Sequence, residues 1–161
     1  MKKILMAVPS SFVMWSHVTT DLVNLAVFSS QYFELGYVNI QGALLPVSRD
    51  NLILYARNLG FEYILLIDSD MRFPCNGMIR LFNHHKDVIG VNAAVKDAEK
   101  AALGIELVPV LTEDIHGTPL DQIKLPIAKM AGVGMAFTLV NLKLFDGLQQ
   151  PYFYICFFYK V

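Results

Sequence analysis

Asp68 and Asp70 stand two positions apart, directly behind the apolar run "YILLI" at 63–67, in the stretch "YILLIDSDMRFP". In an extended segment, residues i and i+2 project from the same face, so both carboxylates can converge on one ligand. Two like charges that close repel and raise one pKa unless a cation neutralises them. A hard divalent ion with oxygen ligands is the natural partner, keeping waters and sharing its shell with substrate phosphates. The competing reading is an Asx-type turn after the strand, with Asp70 solvated.

The elements that must hold this pair are legible as alternating strand and helix patterns. Residues 2–10 read as a first strand ending at Pro9. Ser16 is expected to cap a helix running to about Leu35, with Gly36 as its stop. Residues 37–45 read as the second strand. From Arg49 a helix places Leu52, Tyr55, Ala56 and Leu59 on one face and ends at Gly60. After "YILLI", a short helix carries Met78, Leu81 and Phe82, and 87–94 form a fourth strand. This order predicts an α/β fold: one Rossmann-like domain with a mostly parallel sheet and helices on both faces. Ligands of such sheets bind beyond the carboxyl ends of the strands, where the two acids are placed. Further on, 104–113 and 129–140 are strand-like with no helix between them, and read as antiparallel additions. Residues 141–148 read as a short helix capped by Asn141.

Composition narrows the classes. The chain has 161 residues, 55% hydrophobic and 17% charged, which suits one domain with an ample core. A net charge of −1 offers no basic field for gripping nucleic acid. Cys75 and Cys156 show no metal-ligand spacing and read as free thiols of a reducing, cytoplasmic compartment, with a lone disulfide as the minority reading. The N-terminal apolar run "ILMAV" stops at Pro9, short of the roughly 7–15 residues of a signal segment, so a strand entered by Lys2 and Lys3 is the better reading. No apolar run reaches the roughly 18 residues of a membrane span.

The stretch "SRDNLILYARNLGFEYILLIDSDMRFP" resembles the core of the GT-A glycosyltransferases, especially the family-2-like enzymes of bacteria and their phages. There an Arg-containing segment opens a helix, a Gly and an aromatic-rich strand follow, and the strand ends in Asp-x-Asp. "FNHHKDVIGVNAAVK" is similar to the family's next helix and strand, and "AGVGMAFTLVNLKLFDGLQQPYF" to its glycine-turn strand and following helix. The resemblance covers roughly residues 1–153. It implies a donor-binding part over about 1–96, a sugar- and acceptor-side part over about 97–153, and an atypical tail at 154–161.

What the resemblance implies is a nucleotide-diphosphate sugar donor, transferred to an acceptor of unidentified class: glycan, lipid, protein or modified nucleic acid. Pro9, Ser10 and Ser11 match the segment that holds the base. Arg49 matches a donor-contacting position. Asp68 would bond the ribose or assist the metal, and Asp70 would coordinate Mn²⁺ or Mg²⁺ bridging the diphosphate. A cation there stabilises the charge that grows on the leaving nucleoside diphosphate. Gly132 and Gly134 match the segment lining the sugar pocket, where missing side chains let the donor approach the backbone. For Arg49 the bland alternative is a surface residue at a helix start; for the two glycines it is a bulge or tight turn. Lys96 could reach the diphosphate, but a surface residue is the better reading; His84 and His85 read as partners of helix-end carbonyls rather than metal ligands, His116 as a loop residue, and Met71 and Phe73 as core.

The chain departs from the family after residue 153. The family's downstream acidic pair, which supplies the base in inverting enzymes, and its late metal-site His have no counterpart in "YICFFYKV". Glu113 and Asp114 are not placed in that role, so no general base is assigned. The tail reads as that of a shortened or frame-shifted gene, which makes a catalytically incomplete nucleotide-sugar-binding module the alternative function. A haloacid-dehalogenase-type phosphatase, with the first Asp as nucleophile, is the lesser alternative; that family places its motif on the first strand. Tyr152, Phe153, Tyr154, Phe157, Phe158 and Tyr159 concentrate apolar surface in the tail, which either folds back over the sheet as a makeshift strand or pairs with another copy; self-association is the expectation.

Overall fold

The seven residues Ile4 to Ser10 are all buried, so the first strand is apolar on both faces, the signature of a strand inside a sheet covered on both sides. The computed structural model describes residues 1–10, 14–42, 44–91, 94–95, 108–109 and 135–153. The first strand, β1, is Lys2–Ser10; α1 is Ser16–Ser29; β2 is Phe33–Gln41; α2 is Leu45–Asn58; β3 is Tyr63–Ile67; α3 is Gly77–Phe82; β4 is Val88–Gly90. Two short strands, β5 (Ala94–Val95) and β6 (Val108–Pro109), pair antiparallel with each other. The last strand, β7, is Phe137–Asn141, and a 3-10 helix, Leu142–Phe145, follows.

The main sheet has the order β2-β1-β3-β7-β4. Strands β2, β1 and β3 are parallel neighbours, and β7 runs antiparallel to both β3 and β4. An α/β fold with a mostly parallel sheet is therefore what the chain adopts, with β3 at the centre as its apolar run predicts. The antiparallel strand is inserted between β3 and β4, inside the sheet.

Side-chain alternation divides the core in two. Ile4, Met6 and Val8 of β1 and Leu65 and Ile67 of β3 pack with Val18, Leu22 and Leu25 of α1 and Met78 and Leu81 of α3. Leu5, Ala7, Ile64 and Leu66 face the other way, onto Leu52, Ile53 and Ala56 of α2. Helices thus cover both faces.

Several boundaries differ from the sequence reading. Trp15, not Ser16, is the extended N-cap of α1, and no side chain caps it. The helix ends at Ser29 rather than near Leu35, and Gly36 lies inside β2, paired with Leu5. Its role is spatial: a Cβ there would lie 2.4 Å from Cζ of Phe61. The second helix starts at Leu45, with Pro46 in its first turn, where a missing N–H costs nothing. Arg49 therefore sits beyond the first turn, and Tyr55 and Leu59 are largely exposed. Pro9 is tolerated within β1 because the pairing with β3 covers only Ile4 to Ala7, so its missing donor faces no central ladder. The segment expected as one strand over 87–94 is divided between β4 and β5. Asn141 does cap the following turn, accepting from the Lys143 N–H at 3.1 Å, but that turn is a 3-10 helix. The tail at 154–161 and most of 96–134 lie outside the described residues.

Candidate functional site

Parallel strands β1, β2 and β3 all deliver their last residues to one edge, so Ser10, Gln41 and Asp68 are brought together by topology. The antiparallel β7 starts at the same edge, where Asp68 N–H donates to the Ala136 carbonyl at 2.9 Å. The chain then turns: Met71 N–H donates to the Asp68 carbonyl at 3.2 Å, closing a β-turn over 68–71. The strand stops at Ile67, so the two aspartates sit in a turn and not in extended chain. Strand alternation therefore does not make the carboxylates converge; the turn sets their directions. Asp68 is half-buried, and Asp70 is exposed on the turn.

Arg49 reaches Asp68 from α2. Its Nη2 donates to Asp68 Oδ1 at 3.1 Å, and the arginine side chain is only 15% exposed. The guanidinium Nε is buried with no hydrogen-bond partner. A cation this enclosed is held by its partner, and the surface-residue reading of Arg49 does not describe it.

Other predicted positions behave differently. Pro9 and Ser10 are both buried. The Ser10 hydroxyl donates to Asn39 Oδ1 at 3.2 Å and accepts from Asn39 Nδ2 at 3.0 Å, while the same amide donates to the Val8 carbonyl. Ser10 thus ties the ends of β1 and β2 together. Ser11, Gly132 and Gly134 lie outside the described residues, as do Lys96, Glu113, Asp114, His116 and Cys156. Cys75 is an exposed free thiol. Phe73 joins the core by stacking on Phe137 at 4.9 Å. At the end of α3 it is the backbone N–H groups of His84 and His85 that bond the Leu81 and Phe82 carbonyls, with His85 at φ 52.

The carboxylates missed by sequence reasoning are structural anchors around this edge. Asp21 of α1, 8% exposed, accepts from Arg72 Nε at 2.6 Å and Nη2 at 3.2 Å, and from the Phe73 N–H at 3.4 Å. The Arg72 hydrogen bond, opposed by desolvation and helped by the Phe73 amide, holds the Asp21 carboxyl below its usual range. Asp50 of α2, also 8% exposed, accepts the N–H groups of Tyr152 and Phe153 at 2.9 and 3.1 Å. Arg57 donates to the Phe145 carbonyl, the Tyr152 hydroxyl and Asp146. The signal was present: Asp21 shares the buried face of α1 with Val18, Leu22 and Leu25, and a buried acid requires a partner.

A cation would find oxygen donors at this edge in Asp68 and Asp70, the set a hard divalent ion prefers. Among the described residues no group of three or more His, Cys, Asp or Glu could hold a metal, so two carboxylates are what those residues offer at this edge. Such an ion completes its shell with water or ligand phosphates. A shallow pocket lined by Tyr63, Phe82, His85, Lys86, Asp87 and Leu139 lies at the opposite, amino end of β3, away from the acids. Among the described residues no helix is long and apolar enough to cross a membrane.

No protein-family model and no curated protein matches the chain. Among solved structures the chain is similar to the crystal structure of A197 from STIV, with a TM-score of 0.58 and 16% identity over 96% of this chain and 72% of that one. At that identity the likeness is one of fold alone.

Proposed function

We propose that the chain binds a nucleoside-diphosphate sugar with Mn²⁺ or Mg²⁺ at the carboxyl edge of β3 and serves in glycosyl transfer. One observation carries the reading: a largely buried arginine from α2 is fixed on the first of two acids, beside an exposed second acid, where ligands of α/β sheets bind. The donors suit the ligand. Carboxylate oxygens are what a hard divalent ion prefers, and such an ion in turn favours a diphosphate. Arg49 neutralises Asp68, which lowers the repulsion between the carboxylates and orients the Asp68 oxygen that it does not use. When bound, the cation supplies charge stabilisation to the departing nucleoside diphosphate. The resemblance of the surrounding segments to GT-A glycosyltransferases supports the same reading.

The test is calorimetric titration of UDP- and GDP-sugars with and without Mn²⁺. Metal-assisted binding that Asp70→Ala abolishes is the expected result. Absence of binding for every donor, with either ion, overturns the reading; a trapped aspartyl-phosphate at Asp68 would replace it with a phosphatase. Release of free sugar or its transfer to an added acceptor separates an enzyme from a donor-binding module.

A further inference from the structure

The loop that carries Asp70 is held from both sides, and the two holds differ in kind. On its front side, Asp68 is fixed by backbone pairing to Ala136 and by Arg49. On its far side, Arg72 and Phe73 are fixed by one carboxylate of another element, Asp21 of α1. Ser69, Asp70 and Met71 are all that lie between. Asp21 is nearly fully buried, whereas the Arg72 side chain is 68% exposed. A loop needing only anchorage has an apolar anchor already in Phe73, stacked on Phe137. Burying a carboxylate is costly unless it is paired and hydrogen-bonded, and Asp21 meets that condition through Arg72 and the Phe73 N–H, both in the segment just after the turn. The forked, two-bond contact of Arg72 with Asp21 fixes direction as well as distance, which a single contact does not.

We infer that Asp21 is a positioning residue: through its two-bond pair with Arg72 and its contact with the Phe73 N–H, it sets the turn over 68–71 so that Asp70 faces an incoming cation. The cation half of this inference rests on the donor-site reading above; the latch itself does not. Groups that orient metal ligands from behind typically alter metal affinity by roughly 10–100-fold when removed.

The experiment measures Mn²⁺ affinity by paramagnetic titration and amide hydrogen exchange at Met71 in the metal-free protein. Asp21→Ala is expected to weaken Mn²⁺ binding by about tenfold or more and to speed exchange at Met71, whose N–H closes the turn. Arg72→Ala should do the same, and the double variant should be no worse than either single one, because both remove one contact. Leu22→Ala, which destabilises the same helix through its apolar face, is the control and should leave Mn²⁺ affinity unchanged. Wild-type protein that binds Mn²⁺, with Asp21→Ala binding it equally well, overturns the positioning role. Equal loss in Leu22→Ala also overturns it, because general loosening then explains the effect. Wild-type protein that binds no Mn²⁺ overturns the cation half together with the donor-site reading. The latch is then judged on Met71 exchange alone: unchanged exchange in Asp21→Ala overturns it.

Discussion

Arg49 and Asp68 meet at 3.1 Å across the carboxyl edge of the sheet, one from the second turn of α2 and one from the residue after β3. The pair fastens a helix to a strand end at the same place where the ligand is proposed to sit. Replacing Arg49 by Met leaves Asp68 half-buried without its cation. The expected loss is about 1.5 kcal/mol in urea unfolding, together with loss of donor affinity. Arg49→Lys should recover little of the donor affinity, because a point charge on a flexible stem does not reproduce a fixed fork. Full donor affinity in Arg49→Met would remove Arg49 from the site.

Asp70 is exposed, so its replacement should separate binding from stability. Asp70→Ala is expected to lower Mn²⁺ affinity more than tenfold while changing unfolding free energy by less than about 1 kcal/mol. A variant as tight for Mn²⁺ as the wild type would place the cation elsewhere.

Acid should loosen the latch. The folded-state pKa of Asp21 lies below its ordinary value of 3.8, chiefly because Arg72 bonds the ionised form. Its contribution to stability is therefore complete above that value and is lost as pH falls below it toward the folded-state pKa. Glu62, paired with Lys2, is lowered from 4.5 in the same sense. Urea unfolding followed from neutral pH to about pH 3 should show stability falling below about pH 4.5, and Asp21→Asn should flatten the lower part of that fall. An unchanged acid slope in Asp21→Asn would mean that the pair contributes nothing to it.

Gly36 tests the packing between β2 and the turn after α2. An added methyl would meet Cζ and Cε1 of Phe61 at 2.4 and 2.9 Å and Cδ1 of Leu5 at 3.0 Å. Gly36→Ala should cost about 1–3 kcal/mol, and adding Phe61→Leu should recover part of it. Additive losses in a double-variant cycle would show that the ring is not the obstacle.

Asp50 holds Tyr152 and Phe153 by their backbone N–H groups. Asp50→Ala strands both donors and should cost about 1–3 kcal/mol. Exchange at those two amides should accelerate, while that of β3 in the sheet centre stays slow. Unchanged exchange at Tyr152 and Phe153 would show that the anchor lies in the apolar contacts of the segment.

The sequence discloses what local pattern controls. Tyr63–Ile67 is readable to the residue because five apolar positions are bounded by Glu62 and Asp68. The start of β2 is not: Gly36 imitates a helix stop, and what it serves is a contact with Phe61, distant in sequence. The start of α2 is hidden because Leu44, Leu45 and Pro46 continue an apolar run. The placement of β7 between β3 and β4 is a choice of partner, which no local period encodes. Within the site, Asp68 and Asp70 are visible as a motif, but the turn that aims them depends on Asp21, which lies 51 positions before Arg72.

The insertion of β7 also governs how the chain can assemble. β2, β1 and β3 come from the first 67 residues and can pair as they emerge, but β3 then keeps one edge open. Among the described strands that edge is closed by Phe137–Asn141 alone, in the register Tyr63 to Asn141 and Ile67 to Phe137. β4 pairs with β7 alone among the described strands, so it too waits. The most apolar strand of the protein must therefore stay unpaired on one side while some seventy further residues are synthesised. Closing contacts so distant in sequence is slow, and an open apolar edge recruits other chains in the interval. Fragments that stop before residue 137 should consequently aggregate, and the yield of native protein should rise with whatever shields β3 during synthesis.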